Sequence, residues 1–223
     1  MKKITLLLLI TLSLNLFAQK ELKEGVITMK MNMSTDNEQA KAAFAMIGEI
    51  PVTVYFKEQK SRTEQKHQMT GNNTTIVDSD SKKMLVLLDN PMLGKKYIEN
   101  EIKVSEEDLK DITVTPTGDS KTIAGYTCNG YDIIAKINGM ETKMIMYTTD
   151  KINVPTPNTA GLGNKIKGFP MYLILNTKQG PMDMIITMEV TEVKAEKVDD
   201  SKFALTIPEG YSKMEKPKPA NVD

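Results

Sequence analysis

Cysteine, histidine and arginine each occur once in this 223-residue chain, at Cys128, His67 and Arg62. A lone cysteine excludes an intramolecular disulfide, so the core alone must hold the fold, even in an oxidising compartment. A lone histidine, with no cysteine or second histidine at ligand spacing, leaves no zinc-type site. Nothing local pairs His67 with Cys128 as base and nucleophile, and the two read as a surface residue and a small half-buried one. There is no Gly-x-Ser-x-Gly elbow and no glycine-rich phosphate loop ahead of a helix. The chain therefore carries no catalytic signature, is expected not to be an enzyme, and calls for no cofactor or metal.

Charge excess and long apolar runs are also scarce. The 29 basic residues balance 29 acidic ones, and a nucleic-acid partner, which requires a basic patch, is not expected. A single long apolar run, Ile4 to Phe17, follows Lys2-Lys3 and precedes Ala18-Gln19, the layout of a secretory signal peptide cut after Ala18. At under the roughly 20 residues of a spanning helix it is too short to cross a bilayer, and no later run is as long, so the protein is expected not to span a membrane. The mature chain would carry 27 basic and 29 acidic residues, a net charge of −2. It would begin at Gln19 and not at a lipid-bearing cysteine, which points to a free periplasmic or secreted protein. Residues 19–211 show no composition break and read as one domain.

Methionine is plentiful, with 16 residues, and its placement is regular. In Met182 to Val190 the even positions Met182, Met184, Ile186, Met188 and Val190 are apolar, whereas Asp183, Thr187 and Glu189 are polar, the period of a strand with one buried face. Lys178-Gln179-Gly180-Pro181 reads as a turn back to an apolar strand at 171–176, and Phe203-Leu205-Ile207 continues the alternation, so a three-stranded meander is expected. Residues 25–34 alternate too, with Ile27, Met29, Met31 and Met33 on one face. Thr35 with Glu38 suggests a capping box for an amphipathic helix carrying Ala40, Ala43, Phe44 and Ile47, closed by Gly48 and Pro51. Further strands, some of them weak, are expected between residues 51 and 100, and one helical turn at 106–110.

Asn138-Gly139 is the preferred pair of a two-residue type I′ hairpin. It sets Ile137 against Met140, Ala135 against Thr142, Ile133 against Met144 and Tyr131 against Met146, with Lys136 facing Glu141 on the other side. This register puts Cys128 on the opposite, more polar side unless Asn129-Gly130 is a bulge. Residues 150–168 lack any sustained period and form a long loop, which in a compact domain is either functional or disordered. Residues 212–223 read as a polar, solvated tail.

The phrases Lys121-Thr-Ile-Ala-Gly125-Tyr126-Thr-Cys128-Asn-Gly-Tyr131, Gly168-Phe-Pro170 and Met188-Glu-Val190 through Phe203 to Pro208-Glu-Gly210-Tyr211 resemble an exported bacterial family similar to the LolA/LppX-like periplasmic lipoprotein carriers. The resemblance covers about residues 24–211. It implies a mainly β fold with short helices: a curved antiparallel half-barrel whose concave apolar face lies under a helix and loop lid and, in the carriers, holds acyl chains. Two features depart from that pattern. Here the helix follows the first strand instead of preceding it, and Arg62 sits in a polar stretch that does not match the carriers' lipid-handover arginine.

Two readings follow. In the first, Met29, Met31, Met33, Phe44, Ile133, Met144, Met146, Met184, Ile186 and Met188 line a cavity for a lipid or acyl chain, with 150–168 as its gate and an unspecified envelope protein as partner; methionine suits such adaptable surfaces. In the second, the same residues fill the core of a structural or interaction module without a ligand. Met29-x-Met31-x-Met33 also presents three thioethers, soft ligands of the kind that select Cu(I), but simple alternation produces the same pattern, so lining is the expectation and a metal is not.

Overall fold

Period-two alternation dominates the chain, and it builds strands. A computed structural model of the protein describes residues 21–137, 140–179 and 182–214. The expected signal peptide, the Asn138-Gly139 and Gly180-Pro181 turn positions and residues 215–223 lie outside these. The strands are β1 (Glu24–Ser34), β2 (Ile50–Lys57), β3 (Lys60–His67), β4 (Gly71–Asp78), β5 (Lys83–Asn90), β6 (Gly94–Glu101), β7 (Ile112–Ile123), β8 (Tyr126–Ile137), β9 (Met140–Thr149), β10 (Phe169–Gln179), β11 (Met182–Lys194) and the two-residue β12 (Ser212–Lys213). They form a single curved, open sheet in the order β12-β6-β5-β4-β3-β2-β1-β11-β10-β9-β8-β7, a half-barrel. Among the described residues β12–β6 is the one parallel pairing of these strands, and an isolated bridge between Leu22 and Ile152 is parallel as well. Among the described residues no helix is long and apolar enough to cross a membrane.

The register expected at the β8–β9 hairpin is the one found: Ile137↔Met140, Lys136↔Glu141, Ala135↔Thr142, Ile133↔Met144 and Tyr131↔Met146. The expected meander is half right. β10 pairs with β11 from Tyr172↔Glu189 to Gln179↔Met182, but Phe203 to Ile207 adds no third strand. The other side of β11 is already taken by β1, and a strand cannot join an edge that is occupied. Phe203 instead ends a 3-10 turn, Asp200–Phe203.

The segment after β11 crosses the sheet as a strap. Lys57 ion-pairs with Asp200 at 2.7 Å and with Glu24 at 3.7 Å, Lys202 Nζ sits 4.2 Å above the Tyr55 ring, and the 3-10 turn packs on β3 and β4. Leu205, Ile207 and Tyr211 then cover Ile76, Leu85, Leu87 and Tyr97. The strap ends by pairing with the β6 edge, where Met214 N–H donates to Tyr97 O. The solvated tail expected from Ser212 thus begins with β12, because β6 offers an unpaired edge that a short strand can satisfy. Beside the strap Glu64 is buried. Burial disfavours its charge, but hydrogen bonds from Arg62 and Lys66 outweigh that and hold its carboxyl below the usual range.

Helix α1 (Glu38–Ile47) is capped by Asn37 and not by a Thr35/Glu38 box: Asn37 Oδ1 accepts from the N–H groups of Gln39 and Ala40. Thr35 turns away to donate its hydroxyl to Asp183 O. Helix α2 (Glu106–Lys110) lies where one helical turn is expected.

Candidate functional site

The pairings align the inward side chains in rows across the sheet. One runs Ile50, Met31, Met188, Leu173, Met146, Tyr131, and the next Met33, Ile186, Leu175, Met144, Ile133. In the first row Met31, Met188, Leu173 and Met146 are all buried. In the second, Met144 and Ile133 are buried but Met33, Ile186 and Leu175 are only half-buried. Met184, which pairs with Thr177 beyond the second row, is half-buried as well.

Residues 150–168 roof the better buried end. Ile152, Val154, Leu162 and Ile166 point into the same core as the methionine rows. Within this segment lie α3 (Pro157–Ala160) and a 3-10 turn, Gly163–Lys165. The roof is tied down by Ser61 Oγ, which donates to Pro155 O, and by Asn158 Nδ2, 3.6 Å from Met188 Sδ. It rejoins the sheet at Gly168, where φ is +83° and a Cβ would come within 2.0 Å of Thr149 O, so only glycine fits. The cover is therefore the loop. Helix α1 contains no buried residue, and Phe44, expected as lining, is half-buried on that helix outside the core.

Beneath the roof, where the methionine rows meet β3 and β4, is a cavity of about 140 Å³. Met29, Val54, Phe169 and Met188 form one wall. Thr63, Gln65, Asn73 and Thr75 form the opposite one, and Thr156 to Asn158 close it. The polar wall follows from register, since Met29 aligns with Val52, Gln65 and Asn73, and Ile27 with Val54, Thr63 and Thr75. Among the described residues two side-chain polar atoms are buried without a hydrogen-bond partner, Thr63 Oγ1 and Asn73 Oδ1. Both residues line this cavity. No charged side chain does.

Residues 24–211 match the family described as Domain of unknown function (DUF4412). The chain belongs to that family. No curated protein matches it. Among solved structures it is similar to PNGF-II, with a TM-score of 0.48 and 13% identity over 86% of this chain and 31% of that one, so it spans about a third of PNGF-II's length. It is also similar to the Mycobacterium tuberculosis lipoprotein LppX, with a TM-score of 0.35 and 8% identity over 80% of this chain and 89% of that one.

The family segment takes in both the methionine rows and the strap. Of the residues expected to line a cavity, Met29 and Met188 do so. Met31, Met33, Ile133, Met144, Met146 and Ile186 stand in the adjoining rows, while Met184 and Phe44 lie apart. The polar wall had no signal in the sequence as read, because inward polar residues erase the alternation by which a half-buried strand is recognised.

The phrase from Lys121 to Tyr131 is a structural hairpin. Ala124 and Gly125, both at positive φ, form its two-residue turn between Ile123 and Tyr126. Lys121 lies opposite Cys128, with its Nζ 4.1 Å above the Tyr147 ring and 5.3 Å from that of Tyr172. The β8–β9 ladder is unbroken from Asn129 onward, and the irregularity sits on β7 between Pro116 and Ser120. Cys128 thus keeps the side that parity gives it, yet it is fully buried. That side is roofed: at Gly130, two residues on, an added Cβ would meet Thr117 Oγ1 at 2.4 Å and the Tyr147 ring at 3.0 Å. Burial pushes the Cys128 thiol up to about 11, the opposite of what a nucleophile needs.

Proposed function

We propose that this protein is an exported, non-enzymatic binding protein that holds a lipid or other apolar molecule along the methionine rows of its inner face, with residues 150–168 as the gate. The observation that carries this reading is the fall in burial from the first row to the second, from Met146 and Leu173 under the roof to Met33, Ile186 and Leu175 beyond it. A filled module would close its inner face from end to end. Here the inner face stays half-exposed beyond the roof, and soft, unbranched methionine side chains can repack around a guest. Export rests on the leader at residues 1–18, and delivery of a ligand would involve a partner in the cell envelope.

A ligand-free structural module is the second reading, favoured by the small size of the cavity, about 140 Å³. Native mass spectrometry of protein purified from its own periplasm, with titration of a fluorescent long-chain fatty acid, separates the two. A binding protein carries a lipid mass or takes up the fluorophore, and Met33→Asp, on the half-buried row, weakens uptake by about tenfold or more while staying folded. Asn32→Asp, on the opposite face, leaves uptake unchanged. No co-purifying mass together with no uptake by the wild type would establish the structural module.

A further inference from the structure

The cavity differs from the methionine rows beside it. Its size is close to the roughly 150 Å³ apolar cavity that admits benzene, so it holds a group of about six non-hydrogen atoms and not an acyl chain. Its polar wall is uncharged: Thr63, Gln65, Asn73 and Thr75 stand side by side on β3 and β4, and the roof adds Thr156 and Asn158. A buried polar atom without a partner costs free energy, and native structures contain few of them. In this chain the two buried side-chain atoms without partners among the described residues, Thr63 Oγ1 and Asn73 Oδ1, belong to residues of this one wall.

We infer that this cavity is the head-group pocket of the binding site and selects an amphiphile with an uncharged, hydroxyl-bearing head, of which a glycerol ester is the simplest chemical type. The inference rests on the binding reading above and gives it a ligand class. Thr63 Oγ1 and Asn73 Oδ1 are closed off from the cavity, and a turn of either side chain towards the guest offers a head-group hydroxyl an acceptor at Asn73 Oδ1 and a donor or acceptor at Thr63 Oγ1. A carboxylate or phosphate would enter without any cation to meet it, because no lysine or arginine lines the cavity, and burying an unpaired charge is far costlier than burying a neutral group. The other wall, Met29, Val54, Phe169 and Met188, receives the first carbons of the tail, and Met188 passes it to the row of Met31, Leu173 and Met146.

The test compares two amphiphiles of equal chain length, 1-monododecanoylglycerol and dodecanoate, below their micelle concentrations at neutral pH, by displacement of a fluorescent fatty acid from the wild type, Thr63→Val and Asn73→Leu. The glycerol ester is expected to bind the wild type about tenfold or more tightly than the carboxylate. Each variant should weaken the ester by about fivefold and leave the carboxylate unchanged. Thr63→Val keeps the shape of the side chain and, in the ligand-free protein, should melt no lower than the wild type, since the hydroxyl it removes has no partner. Equal binding of both amphiphiles, unchanged in Thr63→Val, would mean that the cavity holds water only and would overturn the head-group assignment while leaving the binding reading intact. A large drop in melting temperature for Thr63→Val would assign the hydroxyl to the fold and overturn it as well. If neither amphiphile nor the fluorophore binds, the binding reading itself fails and this inference with it.

Discussion

The two ends of the sheet bury opposite faces. From β1 through β11, β10, β9 and β8 the methionine rows point inward beneath the 150–168 roof, while outward positions such as Lys30, Glu189 and Lys143 are charged, with Cys128 and Tyr147 as buried exceptions on the outer side. In β4 and β5, Ile76, Leu85 and Leu87 are buried pointing outward beneath the strap, while on the inner face of β3 and β4 Val77 is buried and its neighbours Ser61, Thr63, Gln65, Asn73 and Thr75 are polar. One continuous sheet thus carries two cores on its two sides. The cavity lies where the inner face passes from one composition to the other, so its walls differ because its neighbours serve different cores. A pocket with one apolar and one polar wall needs no separate element when the sheet changes its buried face along its width.

The largest effects should come from truncating each core. Phe203→Ala removes a buried anchor of the strap and Met146→Ala a fully buried member of the inner row; the losses expected are about 3–5 and about 2–5 kcal/mol, read from urea midpoints. What sharpens the comparison is ligand uptake, expected to fall in Met146→Ala and to persist in Phe203→Ala under conditions where both are folded. A loss of uptake in both would mean that the two cores are not independent.

A smaller effect is expected on acidification, and on the outer side only. The folded-state carboxyl of Glu64 titrates below its ordinary value, so the stability it contributes is complete above that ordinary value and is lost as pH falls through the folded-state value. Glu64→Gln should therefore cost stability at neutral pH and close most of the gap to the wild type in strong acid, which paired urea titrations would reveal. A constant difference across pH would show that Glu64 is not held by Arg62 and Lys66. The smallest signal is chemical. With its thiol raised to about 11 and fully buried, Cys128 should react with iodoacetamide at neutral pH far more slowly in the native protein than in urea; equal rates would show that its cover opens freely in the folded protein.

These contrasts also mark what could be read from the residues alone. The methionine strands and the β8–β9 register were legible because alternation and the Asn-Gly pair act locally. β3 and β4 read only as weak strands, at 65–70 and 74–78, and β3 was misplaced, since their inward Thr63, Gln65, Asn73 and Thr75 break the apolar period. The alternation of Phe203, Leu205 and Ile207 looked like a strand, but it reflects contact with another strand's outer face, and period alone cannot separate a chain lying on a sheet from a chain lying in one. Parity left the side of Cys128 dependent on whether Asn129-Gly130 bulges, and it said nothing about the burial of that side, where Tyr147 packs against Gly130.

The parallel pairing of β12 with β6 has a consequence for the order in which the molecule can be completed. β6 forms early in the chain and β12 late, so during synthesis β6 stays an open edge, and the outward Ile76, Leu85 and Leu87 stay uncovered, until residues 205–213 arrive. β1 waits in the same way for β11. A nascent chain of this topology carries adhesive edges and greasy surface for most of its synthesis, and a product truncated before the strap would keep them, which makes the last stretch of the chain the step that ends its exposure to aggregation and to chaperones.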